Sequence, residues 1–378
     1  MSDAGTVPRT RAWIAGKDSR LEVLSAAPLV LQTPLSLLAG QRITDTRHLY
    51  VRNVQDLADA HTLEPRSLAG WGIELVGLIE PSSVVLDAED LVGMEHIEYE
   101  MVLECSGNGR TQYDNAPGTP WGFGGVANVR FGGVPLSALL ERHGVRIDPR
   151  VRYVTAEGRG TASRPDRPVF EHSLPVADAV RTSIVALTLN GEPLPGIHGG
   201  PVRLVTPGFY GTMQLKWLTR LRFETSESPT YYHATEYRVP LGRVQPGTPF
   251  EFTLENSRPT WSIRPTSYIL DPLPGATLSA GPVTVSGVAY NDGAAPMDSV
   301  AVSLDRGATW LPTALEIPDS PYAWYPWTTQ ATLPSGVHQI WSRASDRLGR
   351  TQPLDGAVDW NPNGYEWAGV FKTDITVE

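Results

Sequence analysis

The residues best equipped for chemistry surround the only cysteine, in Glu104-Cys105-Ser106-Gly107-Asn108-Gly109-Arg110. A thiol ionises near pH ~8.5 in a model peptide, and its thiolate is the form that binds soft metals or attacks electrophiles. Arg110, five residues on, offers a positive charge that favours that form. By type alone a lone cysteine is a small buried hydrophobe. Its setting argues for more, because Gly107 and Gly109 permit positive φ and let backbone amides approach a bound group. Cys105 is therefore a candidate metal or cofactor thiolate.

The elements around it must present that loop. Ile97 to Leu103 reads as a strand with Cys105 at its far end, the position where loops carry function. Upstream, Asp87-Ala88-Glu89-Asp90-Leu91 begins with an N-cap residue followed by acidic groups that suit a helix N-terminus. Downstream, Val134 to Gly144 places Pro135 at a helix entry, apolar residues at helical spacing and Gly144 at the stop. Ser183 to Leu189 reads as a strand turning at Asn190-Gly191, a hairpin dipeptide, and Pro201 to Gly208 as another strand ending in a turn.

A polar stretch from Asn256 to Pro274, punctuated by Pro259, Pro265, Pro272 and Pro274, marks a boundary. Beyond it Val283-Thr284-Val285-Ser286 and Val300 to Leu304 alternate apolar with small polar residues, separated by Asn291-Asp292-Gly293 and Pro334-Ser335-Gly336. This pattern predicts an immunoglobulin-like β-sandwich without its cysteine pair. Trp310, Trp324, Trp327 and Trp341 are read as core or interface aromatics. The fold class is α+β: a mixed catalytic domain over residues 1–258 and an all-β sandwich over 259–378.

Composition narrows the partners. A net charge of −10 without a basic cluster gives no footprint for nucleic acid, whose binding rests on Lys and Arg neutralising phosphates. One cysteine excludes an intrachain disulfide framework, paired-cysteine zinc sites and c-type haem attachment. No apolar stretch is long enough to span a bilayer. The first twenty residues lack a secretory apolar core, and Arg9 and Arg11 are not adjacent, so the chain as written reads as cytoplasmic, or periplasmic if a signal was removed.

Several blocks, taken in order, resemble the sulfite oxidase family of molybdopterin enzymes. Leu49-Tyr50-Val51-Arg52-Asn53 resembles its arginine-bearing motif, Leu103 to Arg110 its cysteine loop, and Val126 to Leu140 the segment that follows. His198-Gly199-Gly200-Pro201-Val202-Arg203 and Gly208 to Leu218 resemble its pterin-binding stretch, while Val302 to Trp310 and Arg343-Ala344-Ser345-Asp346 resemble its dimerisation domain. The resemblance implies that Cys105 ligates a molybdenum also held by the dithiolene of one molybdopterin; no cytochrome-type haem motif is apparent in the residues, so no haem is expected in this chain. It implies an anion pocket lined by Arg52 and Arg110, an active-site phenol at Tyr237, and cofactor contacts from Val51, Arg52, Asn53, Ser106, His198, Arg203 and Lys216. Trp121 is read as a wall of that pocket.

Three positions depart from the family pattern. Val54 stands where histidine usually follows the Arg-Asn pair, Gly109 where a second arginine is common, and Asn363, in Trp360-Asn361-Pro362-Asn363-Gly364, where sulfite-oxidising relatives often carry arginine. The resemblance implies oxidation of sulfite to sulfate, with electrons leaving to an external acceptor, a cytochrome or oxygen, and a homodimer joined through the sandwich. The departures keep open a different small sulfur oxyanion or other sulfur compound, or an S- or N-oxide to be reduced. The alternative class is a non-catalytic interaction protein whose cofactor site is lost.

Overall fold

The computed structural model describes residues 14–57, 59–162, 166–167, 169–354 and 357–378; Arg9 and Arg11 lie outside them. The first half is built on two five-stranded sheets. One is antiparallel and centred on Val126–Pro135, which pairs with Ile97–Glu104 on one side and Ile184–Leu189 on the other; Glu192–Pro193 and Arg203–Val205 also pair with Ile184–Leu189. The other runs Glu171–Pro175, Tyr153–Gly158, Leu218–Glu224, Gly72–Gly77, Ser83–Asp87, with one parallel pair between Leu218–Glu224 and Gly72–Gly77. A small antiparallel sheet of Glu22–Ala26, Leu29–Gln32 and Val51–Arg52 lies beside them in the chain order.

Local chemistry explains the short helical pieces. Asp87 accepts a hydrogen bond from the Glu89 amide at 3.0 Å and starts a tight 3-10 segment, Ala88–Gly93, in place of an α-helix. The predicted helix after Val134 is Leu136–Arg142, with Pro135 as the preceding cap residue and Gly144 at φ +62 closing it. Leu136, Leu139 and Leu140 are its buried face. At the hairpin, Asn190 and Gly191 take φ of 54 and 83, the pair of left-handed conformations a two-residue turn requires.

The second half is the expected sandwich. Thr266–Asp271, Gly281–Tyr290, Tyr325–Leu333 and Ala314–Leu315 form one sheet; Thr277–Leu278, Phe371–Val377, Gly336–Asp346, Met297–Ser303 and Leu311–Pro312 form the other. Trp324, Trp327 and Trp341 are buried, and Trp310 is half-buried. The two halves share a core: Leu38, Val102, Val126 and Tyr210 pack with the sandwich residues Tyr268, Tyr290 and Phe371. The chain also returns from the second half, where Tyr365 joins Val54, Tyr232 and Tyr237 in one apolar cluster. Among the described residues no helix is long and apolar enough to cross a membrane.

Candidate active site

Cys105 sits where Ile97–Glu104 ends, and its amide bonds Gly125 O at 2.8 Å. Burial becomes continuous along the last half of that strand, so the thiol arrives in the interior. Gly109 takes φ +78, while a Cβ would lie 3.0 Å from the Trp367 ring; no side chain is accommodated there without strain. Gly107 has no positive φ. It is needed for space, since a Cβ would meet the Arg110 guanidinium at 2.9 Å.

A narrow cleft opens at the thiol, lined among others by Arg52, Asn53, Val54, Cys105, His198 and Arg203. Lys216, Gln214, Thr212, Phe170 and Tyr237 complete the wall. Of the expected residues, Cys105, Arg52, Asn53, His198, Arg203, Lys216 and Tyr237 are thus brought to one cavity from five separate stretches of chain.

Four others are not. Val51 is fully buried in an apolar cluster, because strand alternation sends its side chain opposite to that of Arg52. Ser106 turns aside to bond the Thr212 hydroxyl at 2.9 Å, and it is Thr212 that lines the cleft. Arg110 does not line it either: Nε donates to Gly364 O at 3.3 Å, Nη1 to Thr119 O at 3.0 Å, and the guanidinium stacks 4.7 Å from the Tyr365 ring. Arg110 therefore clamps the cysteine loop to the returning C-terminal segment. Trp121 is fully buried edge-on to Tyr50, at 5.7 Å between centroids, so it backs the pocket and does not wall it.

The departures from the family pattern also have places. Val54 lines the cleft with an apolar surface. Asn363 donates from Nδ2 to Glu236 O at 2.9 Å, bracing the turn before Tyr237. That turn, Tyr232–Glu236, is π-helical, and the Tyr237 amide closes it on Tyr232 O at 3.0 Å. Single π-turns of this kind re-aim the residue that follows and recur at functional sites.

Electrostatics set the character of the cleft. Lys216 Nζ donates to Arg52 O at 3.2 Å, Ile197 O at 2.7 Å and Asn53 Oδ1 at 2.6 Å. Arg203 donates to His198 O at 3.0 Å and Gln214 O at 3.2 Å, and Arg52 to Asn53 O. Every one of these acceptors is neutral. Burial, then repulsion from Arg203, Lys17 and Arg52, pushes the Lys216 pKa well down; burial pushes Arg203 down to about 10. Such a set of buried cations is stabilised by an anion.

Cys105 itself is not ionised by its surroundings. Burial raises its pKa and outweighs Arg52, the Gly107 amide and Arg110, which pull the other way. The sequence expectation that Arg110 favours the thiolate is corrected here: desolvation of the charged sulfur is the larger effect. Burial likewise pushes the Tyr237 phenol up to about 12 against the opposing pull of Arg52, so it serves as a hydrogen-bond donor.

The molybdopterin-binding domain model of oxidoreductases matches residues 61–232, and the Mo-co oxidoreductase dimerisation domain model matches residues 258–378. The chain belongs to the sulfite oxidase family of molybdopterin oxidoreductases. Human mitochondrial sulfite oxidase is 30% identical over 357 residues, covering 91% of this chain and 63% of the relative. Nitrate reductase [NAD(P)H] of Hordeum vulgare is 30% identical over 397 residues, covering 97% of this chain and 43% of the relative. The chain thus spans less than two thirds of these relatives' length. Its fold is shared with the sulfane dehydrogenase SoxCD from Paracoccus pantotrophus, at TM-score 0.77 and 24% identity, covering 96% of this chain and 90% of that one.

The residues of this family member fit the family's cofactor. Asn53 Nδ2 and Gln214 Oε1 are buried in the cleft wall with no partner among the described residues, a donor and an acceptor suited to a polar ring system. The neutral-bonded cations suit a phosphate. Among the described residues no three His, Cys, Asp or Glu side chains gather as a metal cage. A metal at Cys105 would take its remaining ligands from a bound cofactor, and its charge would ionise the thiol. Sequence reading missed Gln214, Thr212, Phe170 and Lys17. Gln214 lies within the matched pterin stretch and was there to be found; Lys17 carries no local signal.

Proposed function

We propose that this chain binds a molybdenum with one molybdopterin through Cys105 and oxidises sulfite to sulfate, with electrons passing to an external acceptor. One observation carries the reading: the Arg52 guanidinium, the Tyr237 phenol and the Cys105 thiol line a single cleft whose cations, among the described residues, hydrogen-bond only neutral acceptors. When bound, the cofactor supplies two-electron oxygen-atom chemistry. The chain supplies position and charge.

Sulfite and water give sulfate, two protons and two electrons. Arg52, fixed by its bond to Asn53 O, presents a permanent positive charge to the incoming oxyanion. Tyr237, protonated throughout the ordinary pH range, donates a hydrogen bond to an anion oxygen and holds its orientation. Phe170 and Val54 keep that side of the cleft apolar and reduce competition from water. Lys216, Arg203, Asn53 and Gln214 hold the cofactor's polar and phosphate groups.

Val54 and the outward turn of Arg110 favour a second reading on the same site. With Arg110 turned out of the cleft, the anion clamp holds one guanidinium fewer than the sequence implied, and one such contact is worth on the order of 4 kcal/mol at about 4 Å and an effective dielectric of ~20, before desolvation. A larger or less charged sulfur compound, or an S- or N-oxide, then becomes a competing substrate. The homodimer is proposed through the sandwich, on the strength of the matched dimerisation domain; light scattering at micromolar concentration reads it.

The deciding experiment is metal and pterin analysis of protein from a host that makes the cofactor, followed by turnover of sulfite, thiosulfate-like compounds and sulfoxides with artificial redox partners. Molybdenum and pterin present with Cys105 intact and lost in Cys105→Ser support the cofactor reading. Loaded protein that ignores sulfite and reduces sulfoxides overturns the sulfite reading in favour of the second.

A further inference from the structure

Lys17, in Gly16-Lys17-Asp18, lies outside the segment matched by the molybdopterin-binding domain model, yet its ammonium reaches His198, a residue of the cleft wall, from behind that wall. It is buried, with 5% of its surface exposed. Its ammonium meets three acceptors: Thr46 O at 2.6 Å, Leu49 O at 2.6 Å and His198 Nε2 at 2.8 Å. An ammonium carries three donors and no acceptor, so this arrangement saturates it. It also decides the state of the histidine. Facing an ammonium, Nε2 is the bare nitrogen, and the single proton of a neutral imidazole then sits on Nδ1.

We propose that Lys17 is a positioning residue that fixes His198 as the Nδ1–H tautomer, giving the cleft a neutral imidazole donor for an acceptor atom of the bound cofactor. The inference rests on the molybdopterin reading of the cleft. His198 lines that cleft, and no partner for its Nδ1 is found among the described residues. Its own carbonyl accepts from Arg203 at 3.0 Å, and the Lys17 contact pins the ring from the opposite end, so the imidazole is held by both backbone and side chain. The charged groups that act on it are Lys17, Lys216 and Arg203, all cationic. Burial and these three charges press its pKa well down, so the ring stays neutral while donating.

The competing arrangement is a neutral Lys17 amine accepting from a His198 Nε2–H. Burial, the larger effect, pushes the Lys17 pKa well down and favours it, while the nearby Asp45 carboxylate opposes it by stabilising the ammonium. The two arrangements leave opposite protons on the ring: the first offers the cofactor a donor at Nδ1, the second only a lone pair. A phosphate or a pterin carbonyl needs the donor.

Long-range proton–nitrogen correlation spectra of ¹⁵N-histidine-labelled, cofactor-free protein read the tautomer directly, with His198 assigned by its loss in His198→Gln. The expected spectrum shows Nδ1 protonated and Nε2 bare from about pH 6 to about pH 9. In Lys17→Met the Nε2–H form gains population, and molybdenum and pterin retained after dialysis fall about ten-fold. A predominant Nε2–H tautomer in the unaltered protein overturns the proposal, and so does an unchanged tautomer in a folded Lys17→Met. The unaltered protein alone suffices if that variant does not fold. Failure of molybdenum or pterin to bind an unaltered protein with the expected tautomer overturns the cofactor part of the proposal and the function reading, while the Lys17–His198 tautomer lock stands on the spectrum.

Discussion

Tyr290→Phe tests whether the sandwich braces the cysteine loop. The Tyr290 hydroxyl lies 3.0 Å from Glu104 Oε1 and 3.3 Å from the Tyr268 hydroxyl, deep in the shared core. Asn108 Nδ2 donates to the same Glu104 oxygen at 3.0 Å and to the Tyr268 hydroxyl at 2.8 Å, while its Oδ1 accepts from the Gly125 amide at 2.9 Å. Glu104 Oε2 has no partner among the described residues. Removing the Tyr290 hydroxyl therefore leaves a buried carboxyl with one donor, Asn108, and nothing nearby to replace the other. Such a loss costs about 1–3 kcal/mol. With Glu104→Met in place the carboxyl acceptor is gone and the Tyr290 hydroxyl keeps only its 3.3 Å contact to Tyr268, so Tyr290→Phe costs about 0.5 kcal/mol. Denaturant unfolding of the cofactor-free protein and its three variants gives a coupling of about 1–2 kcal/mol. Equal cost of Tyr290→Phe in both backgrounds would show that the hydroxyl does not reach Glu104 and would refute the strut. Because Glu104 precedes Cys105 directly, the same loss is expected to lower molybdenum retention, measured by metal analysis, which Thr329→Val, at a solvent-exposed hydrogen bond to Pro312 O, leaves unchanged.

Gly109→Ala is expected to destabilise the protein by about 1–2 kcal/mol from the left-handed backbone alone, with a further loss from the Trp367 contact, read as a lowered unfolding midpoint. Arg52→Met is expected to raise KM for an oxyanion about ten-fold or more while metal content is kept; an unchanged KM would move the anion elsewhere in the cleft. Tyr237→Phe is expected to lower kcat with no change in the pH profile below about pH 10, because the phenol stays protonated there. Asp305, held down to about 2 by the Thr309 hydroxyl first, then by the Thr309 amide and the Ser303 hydroxyl, contributes stability that is present above 3.8 and lost as pH falls through about 2. Acid unfolding of Asp305→Asn should lack that contribution, so the gap from the unaltered protein closes as pH falls.

Much of the fold was legible because its signals are local. The hairpin at Asn190-Gly191, the stop at Gly144 and the alternation of Val283–Ser286 each follow from the conformational preferences of a few adjacent residues. Residue types at the candidate site were legible as well, since a soft thiolate and fixed cations are chemically suited to a metal and an anion. Which side chains face the cleft was not. Val51 and Arg52 are neighbours on one short strand, and only pairing with Leu29–Gln32 decides that the arginine points in. Ser106 and Thr212, or Arg110 and Gly364, meet across long stretches of chain that no local pattern links.

The sequence alone determined that a single thiol at a strand end, with cations in ordered motifs, belongs to a molybdopterin-type fold followed by a β-sandwich. Tertiary structure decided the rest: that desolvation outweighs Arg110 at the thiol, that Arg110 clamps the loop and leaves Arg52 to meet an anion, and that Lys17 reaches His198 from the far end of the first half. The physical reason is the same in each case. Charge and hydrogen bonding act through space in a low-dielectric interior, where the partners are set by how the sheets pack and not by their order along the chain.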